Sequence, residues 1–348
     1  MFLCFPLLAI LMNLNSVEDV NTCIKTAEQA LSRDQSNGES LLKTCLNQFP
    51  DELIPYLRLC SLYQQQDRSE DLYEIARKGL ERFPRERRFY LVVGFHEGRE
   101  GRCNESVEIL RRGLDFWPED HLMKTYLIDS YLCRGSGYLD LGNNSKAVED
   151  FQRILELDAD NIPALLNLGR AQHNLQRSSD ALKTFDLIYK LDPQTPLILF
   201  HRGVALYALG KFDQTIEVLT LQILNRPDHA PSHYFRGLSY FYRGIWELAL
   251  ADLTLAVEGM PESSDAVYRL GRCLEHFAKY EEAEEAFRKS ARLDPFDSRP
   301  LYSLGNIYSK TGRTKDSEEF YRKAVELYEK KISSSPEELR FKSLRESP

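Results

Sequence analysis

These 348 residues contain no Cys-x-x-Cys pair and no His-Glu-x-x-His. They also contain no apolar run of the roughly 20 residues that would cross a bilayer as a helix. The seven cysteines, at positions 4, 23, 45, 60, 103, 133 and 273, are odd in number and irregular in spacing. Neither a zinc site nor a disulfide framework is implied, and buried or incidental thiols are the expectation. Positive charge is also scarce. Lys and Arg number 45 against 53 Asp and Glu, for a net charge of -8, and the short run Arg85, Arg87, Arg88 is not extended into a stripe. A chain this acidic is repelled by phosphate backbones, so nucleic acid is not an expected partner.

Catalytic patterns are missing too. Six residues separate Gly203 from Gly210-Lys211-Phe212 where a phosphate loop has four, with Phe in place of the metal-binding hydroxyl. Gly135-Ser136-Gly137 follows a helical pattern, not a strand, so a dinucleotide turn fails. The acids Glu281, Glu282, Glu284 and Glu285 read as a solvated helix face. The expectation is no enzyme, no cofactor, no metal and no small-molecule substrate.

The longest apolar stretch is Phe2–Met12, broken only by Pro6. Its length suits the core of a signal peptide, about 7–15 residues. No Lys or Arg precedes it, and no clear small-x-small cleavage site follows. An export signal, a membrane anchor, an apolar capping helix and a misplaced start codon all stay open, and with them a cytoplasmic or exported location.

What is present is a globular composition, 43% hydrophobic and 28% charged, and a repeat. Pro50, Pro84 and Pro118 lie 34 residues apart, as do Pro193, Pro227, Pro261 and Pro295. The two ladders are offset by seven residues, and Ala159 stands where the missing proline belongs. Repeats therefore start at 53, 87, 121, 162, 196, 230, 264 and 298, and the one starting at 121 carries a seven-residue insertion. The eighth position reads Cys60, Gly94, Ile128, Gly169, Gly203, Gly237, Gly271 and Gly305. The twentieth, allowing for the insertion, reads Leu72, Ser106, Ala147, Ala181, Thr215, Ala249, Ala283 and Ser317. Glycine costs a helix about 1 kcal/mol. Its recurrence at one register predicts helices too close for a side chain. Val267, Leu270, Gly271 and Leu274 share one helical face, Ala283, Phe287 and Ser290 another, and Pro295 ends the second helix. Each repeat reads as a helix hairpin that stacks on its neighbours.

The segments ALLNLGRAQHNLQRSSDALKTFDLIYKLDP and VYRLGRCLEHFAKYEEAEEAFRKSARLDP resemble the tetratricopeptide repeat family in period, small positions and terminal Asp-Pro. The resemblance covers residues 53–331 well and 19–52 loosely. It implies an all-α, right-handed α-solenoid of stacked helix-turn-helix repeats. An apolar segment (1–18) would precede a degenerate first unit with two repeats (19–120). The repeat with the insertion (121–161) and five consecutive repeats (162–331) would follow. A polar tail or short capping helix (332–348) would close the chain, since Ser335, Pro336 and Glu338 form a capping box. Between Tyr131 and Lys146, Gly135, Gly137 and Gly142 favour a longer, broken connection over two added helical turns. Such a connection would mark a bend between 19–120 and 162–331.

The family binds protein or peptide partners along a concave groove lined by the first helix of each repeat. Carried over position by position, the groove residues here are Asn167, Arg170, Phe200, His201, Tyr207, Tyr234, Phe235, Tyr268, Arg269, Arg272, Tyr302 and Asn306. Aromatic side chains and Arg are the types that dominate binding hot spots. The family's carboxylate clamp for chaperone C-termini is absent: Leu166, Arg170, His201, Pro231 and Phe235 stand at its positions. A repeated groove asparagine is also missing beyond Asn167. The implied function is a protein-interaction adaptor, with a structural subunit using convex or end surfaces as the alternative.

Overall fold

The structure, a computed structural model, describes residues 19–333. Among the described residues there are eighteen helices and no strand, and they form two compact units that divide between Ala171 and Gln172. The first unit holds α1 (Val20–Leu31), α2 (Gln35–Gln48), α3 (Leu53–Gln65), α4 (Ser69–Arg82), α5 (Arg87–Arg99), α6 (Cys103–Phe116), α7 (His121–Asp140), α8 (Asn144–Leu157) and most of α9 (Ile162–Asn174). The second holds α10 (Ser178–Leu191), α11 (Ile198–Ala208), α12 (Phe212–Asn225), α13 (Ala230–Tyr242), α14 (Trp246–Gly259), α15 (Ser264–His276), α16 (Tyr280–Leu293), α17 (Arg299–Lys310) and α18 (Thr314–Ser333). Within each unit the helices stack as successive hairpins, the expected all-α solenoid. No described helix is long and apolar enough to cross a membrane. The readings of Phe2–Met12 and Ser335–Glu338 concern residues outside the described ones.

Local chemistry sets the ends of these helices. Asp34 and Asp120 accept backbone N–H groups at the starts of α2 and α7, and Ser263 does so for α15, each satisfying donors a helix start leaves open. Within a hairpin the first helix closes on a left-handed residue, such as Gly101 (φ +74) or Gly210 (φ +71). The next amide then reaches back across the turn: Arg102 N donates to the Glu97 carbonyl at 2.9 Å, and Lys211 N to Leu206 at 3.0 Å. This is the Schellman arrangement.

The small positions do what the period predicts. An added Cβ on Gly271 would sit 2.7 Å from Phe287 Cε1, and Phe287 is fully buried. Where the twentieth position is Ser, its hydroxyl uses the close approach. Ser106 donates to the Gly94 carbonyl at 2.6 Å and Ser317 to Gly305 at 2.9 Å. Gly271→Ala gains about 1 kcal/mol of helix propensity, but overpacking against a rigid ring costs about 1–3 kcal/mol. A net loss of stability is expected, and a raised urea midpoint would contradict the packing account.

The insertion departs from expectation. It is not a broken connection: α7 is one continuous helix of 20 residues, where the first helices α3, α5, α9, α13 and α15 have 13. The seven residues are two helical turns, which lengthen α7 by about 10 Å. Seven residues fall only about 20° short of two whole turns, so the buried face continues almost unrotated. Ile128 is therefore not the close-packed eighth position of this repeat. Gly135 is: its added Cβ would lie 2.8 Å from Phe151 Cε1, the same sixteen-residue offset as Gly271 to Phe287.

The cysteines also differ from expectation. Cys23–Cys45 and Cys103–Cys133 are disulfides, with Cα–Cα distances of 5.8 and 6.1 Å. Cys60 and Cys273 are free and buried. The first bridge ties α1 to α2, and the second ties the start of α6 to α7.

In the first unit, Arg68 donates to Glu39 Oε2 at 2.6 Å, and Tyr63 donates to Glu39 Oε1 at 3.1 Å. Chiefly through Arg68, the Glu39 carboxyl is held down from 4.5 to about 2. A carboxyl depressed by folding stabilises above its unfolded value, and that stability is lost as pH falls through the folded one. Glu39 should thus contribute above pH 4.5 and stop contributing near pH 2. Glu39→Gln should flatten the urea midpoint across that window; an unchanged slope would remove Glu39 as its source.

Candidate functional site

The twelve expected groove residues fall on both units. Asn167 and Arg170 lie in the first, on α9, where Arg170 donates to Asn167 at 3.0 Å. The other ten lie in the second, on the first helices α11, α13, α15 and α17.

There the aromatic members form a packed column. Phe200 meets Phe235 at 6.0 Å between ring centroids, Phe235 meets Tyr207 at 5.3 Å and Tyr234 at 5.2 Å. His201 turns the other way and stacks on Phe185 of the second helix α10 at 5.3 Å. Tyr207 lies 6.2 Å from Tyr242, whose ring stacks on Phe212. Burial, then the neighbouring Tyr242 hydroxyl, pushes the Tyr207 phenol above its usual range.

The column continues through charge. Tyr234 donates its hydroxyl to Asp265. Asp265 also accepts from Arg299 Nη2 at 2.8 Å and from Arg269 Nε at 3.5 Å. Burial alone would raise the Asp265 carboxyl; Tyr234, Arg269 and Arg299 together outweigh it and hold the group below the carboxylate range. For Tyr234 burial comes first, then Asp265, and both raise the phenol. The Arg299 guanidinium covers the Tyr268 ring at 4.8 Å, and Arg269 lies 5.7 Å from it. Such contacts stabilise by about 0.5–2 kcal/mol depending on desolvation. Tyr268 itself is only 6% exposed, so its ring is mostly a packing element. Arg272 donates toward its hydroxyl at 3.4 Å.

The last two members lie on α17. Tyr302, 55% exposed, faces Tyr321 at 5.2 Å, while Asn306 accepts from the Tyr321 hydroxyl at 2.7 Å. Tyr268, Ser298, Arg299, Tyr302, Ala324, Val325 and Tyr328 line a cleft of about 310 Å³.

Sequence reasoning missed the ionic members. Asp265 and Arg299 hold the second positions of successive repeats, 34 residues apart and opposite in charge, and that pairing was the available signal. Glu275 and Lys310 make a like pair between the same two helices about three turns on, joined at 2.8 Å; Arg272 reaches Glu275 at 3.3 Å. The exposures are unequal. The side chains of Arg272, Arg299 and Lys310 are 43%, 47% and 49% exposed, whereas Glu275 and Asp297 are 9% and 10%. Asp265 is an exception at 36%, with Arg269 at 20%; at Glu275 and Asp297 the acid lies beneath and the cation on top, so this part of the face offers guanidinium and ammonium donors on a chain of net negative charge.

Among the described residues, one cluster could approach a metal. Glu70, His96 and Glu100 place one ligand atom each within 4.8 Å of the others. His96 Nε2 is 3.4 Å from Glu70 Oε1, and the ring stacks on Tyr73.

Residues 138–199 and residues 263–330 each match a family model described as tetratricopeptide repeat. No protein of curated function matches the sequence. Among solved structures, a chain of the APC/C hetero-tetramer Cut9–Hcn1 is 16% identical. It covers 86% of this chain and 57% of its own, with a TM-score of 0.52, which is a likeness of fold. MamA residues 41-end from Desulfovibrio magneticus RS-1 is 24% identical, covering 51% of this chain and 98% of that one, with a TM-score of 0.46. Residues 138–199 and 263–330 thus carry tetratricopeptide repeats, and the 34-residue period and the close-packed glycine register run on into hairpins outside them.

Proposed function

We propose that this chain is a protein-interaction scaffold whose second unit holds an extended peptide segment bearing acidic and aromatic or aliphatic side chains. The observation that carries the reading is the layering of charge. Arg272, Arg299 and Lys310 present half-exposed donors above the nearly buried Glu275 and Asp297, on the unit that carries the exposed rings of Tyr242 and Tyr302. Guanidinium groups pair well with carboxylates, and rigid aromatic rings supply contact area at little entropic cost. A groove pre-formed by stacked hairpins also reduces the ordering cost of capture.

The test uses the full chain and fluorescent peptides that alternate Glu with Phe or Leu, beside charge-reversed Lys versions. The acidic peptides should bind and the basic ones should not, with affinity falling as salt rises. Arg272→Ala with Lys310→Ala should weaken binding tenfold or more, which is about 1.4 kcal/mol. Equal binding of the two peptide sets, or an unaffected double variant, would remove the groove assignment.

A second reading draws on α18, whose Val325 and Tyr328 form the other wall of the cleft that Arg299 and Tyr302 line. Val325, Tyr328 and Ile332 on α18 are 53%, 57% and 41% exposed, an apolar face on the last described helix suited to a subunit of a larger assembly. Self-association that Tyr328→Glu abolishes and the groove variants leave intact would favour this reading.

A further inference from the structure

We propose that Asn143 is an acceptor for an N-linked glycan, attached in an oxidising secretory compartment. Three independent observations meet at this residue. The first is the acceptor sequence Asn143-Asn144-Ser145, an Asn-x-Ser whose middle residue is not proline. The second is its place in the fold. Asn143 is exposed in the turn between α7 and α8, beside Gly142 (φ +73), and Ser145 is exposed one residue into α8. The Asn143 side chain makes no capping bond to α8. At the same point of other hairpins a cation does structural duty: Arg68 pairs with Glu39 and Asp71, Arg102 with Glu97, and Arg313 with Asp316. Asn143 has no such task, and its amide is open to a modifying enzyme after folding as well as before.

The third observation is redox chemistry. Cys23–Cys45 and Cys103–Cys133 are bridged, and disulfides of this structural kind persist in oxidising compartments and are rare where glutathione keeps thiols reduced. The two remaining described thiols do not compete in exchange. Cys60 and Cys273 are buried, and burial pushes each up to about 12, which leaves almost no thiolate to attack a bridge. The apolar run Phe2–Met12 has the length of an export signal core.

The fold also ranks this site above a second tripeptide of the same pattern, Asn104-Glu105-Ser106. There the Ser106 hydroxyl is fully buried and already committed, donating to the Gly94 carbonyl at 2.6 Å and meeting Ser130 Oγ at 2.7 Å. Asn104 follows Cys103, which the bridge to Cys133 pins to α7. Once the first unit folds, the hydroxyl an acceptor site must present is gone at Ser106 and remains at Ser145.

The transfer balances without redox change. Asn143 Nδ2 forms a bond to the anomeric carbon of an oligosaccharide carried as a lipid pyrophosphate. The carbon–oxygen bond to the pyrophosphate breaks, the amide gives up one proton, and the lipid pyrophosphate leaves.

The full chain, expressed in a glycosylating secretory cell, can be isolated without reductant and treated with glycan-releasing amidase in heavy-oxygen water, which marks each formerly glycosylated Asn as labelled Asp. We expect label at 143 in several-fold excess over 104, in chains whose peptides are joined Cys23 to Cys45 and Cys103 to Cys133. Asn143→Gln, and separately Ser145→Ala, which keeps the asparagine, should each abolish the mobility shift. Disulfide-joined chain with a bare Asn143, label at 104 equal to or above that at 143, or chain recovered with all four cysteines as free thiols would each overturn the proposal.

Discussion

Opening the Cys103–Cys133 bridge should cost the first unit about 3–4 kcal/mol, the largest loss available there from a single bond. The bridge closes a sequence separation of 30 residues between the start of α6 and the middle of α7. Chain entropy charges the unfolded state for that closure, and Cys23–Cys45, closing 22, should be worth only slightly less because the dependence on loop length is logarithmic. Repeat arrays lose stability locally, since each hairpin contacts only its neighbours. The effect should therefore appear as lost hydrogen-exchange protection in α6 and α7, with α15 to α17 unaffected. Cys103→Ser with Cys133→Ser, compared with the oxidised full chain in urea, gives the number. The same midpoint and protection in both would show that packing alone holds these helices.

Those bridges were not legible in the sequence, and the reason is physical. Parity counted all seven cysteines together, yet buried Cys60 and Cys273 are ordinary core residues. Spacing along the chain carries little information when partners sit on different helices brought together by stacking. The hairpin register, by contrast, was written plainly, because close helix approach tolerates so few residue types at Gly271 or Gly305. The three glycines near the insertion misled for a related reason. Gly135 is there for close packing, Gly142 for a left-handed turn, and neither breaks α7. A seven-residue insertion suits a helix because it nearly preserves the buried face. The groove aromatics were legible only once the family resemblance fixed which positions of each repeat to read. The ionic layer, Asp265 with Arg299 and Glu275 with Lys310, was not, because each pair joins two repeats while the reading went repeat by repeat.

In the second unit the corresponding weak point is Asp252, and Asp252→Ala should cost about 3–5 kcal/mol. Asp252 is 4% exposed. It accepts Arg236 through Nε at 2.7 Å and Nη2 at 2.8 Å, and faces His233 Nδ1 at 2.9 Å. His233 Nε2 lies 2.8 Å from the Pro227 carbonyl, so one carboxylate anchors both the first helix α13 and the turn that precedes it. Alanine leaves the largely buried guanidinium and the imidazole without their partner. The tight approach of Gly237, whose added Cβ would stand 3.1 Å from Asp252 Cβ, belongs to the same contact between α13 and α14. Asp252→Asn keeps the volume and one acceptor, and its loss should be smaller. The first unit supplies a control. Arg134 pairs with Asp150 through the same fork, at 2.9 and 2.6 Å, with no histidine bonded to that carboxylate among the described residues. Asp150→Ala should therefore cost less than Asp252→Ala, and the difference measures what His233 adds. Equal losses would place the whole effect in the arginine fork; a loss under about 1 kcal/mol at Asp252, the range of an exposed pair, would mean that water replaces the carboxylate.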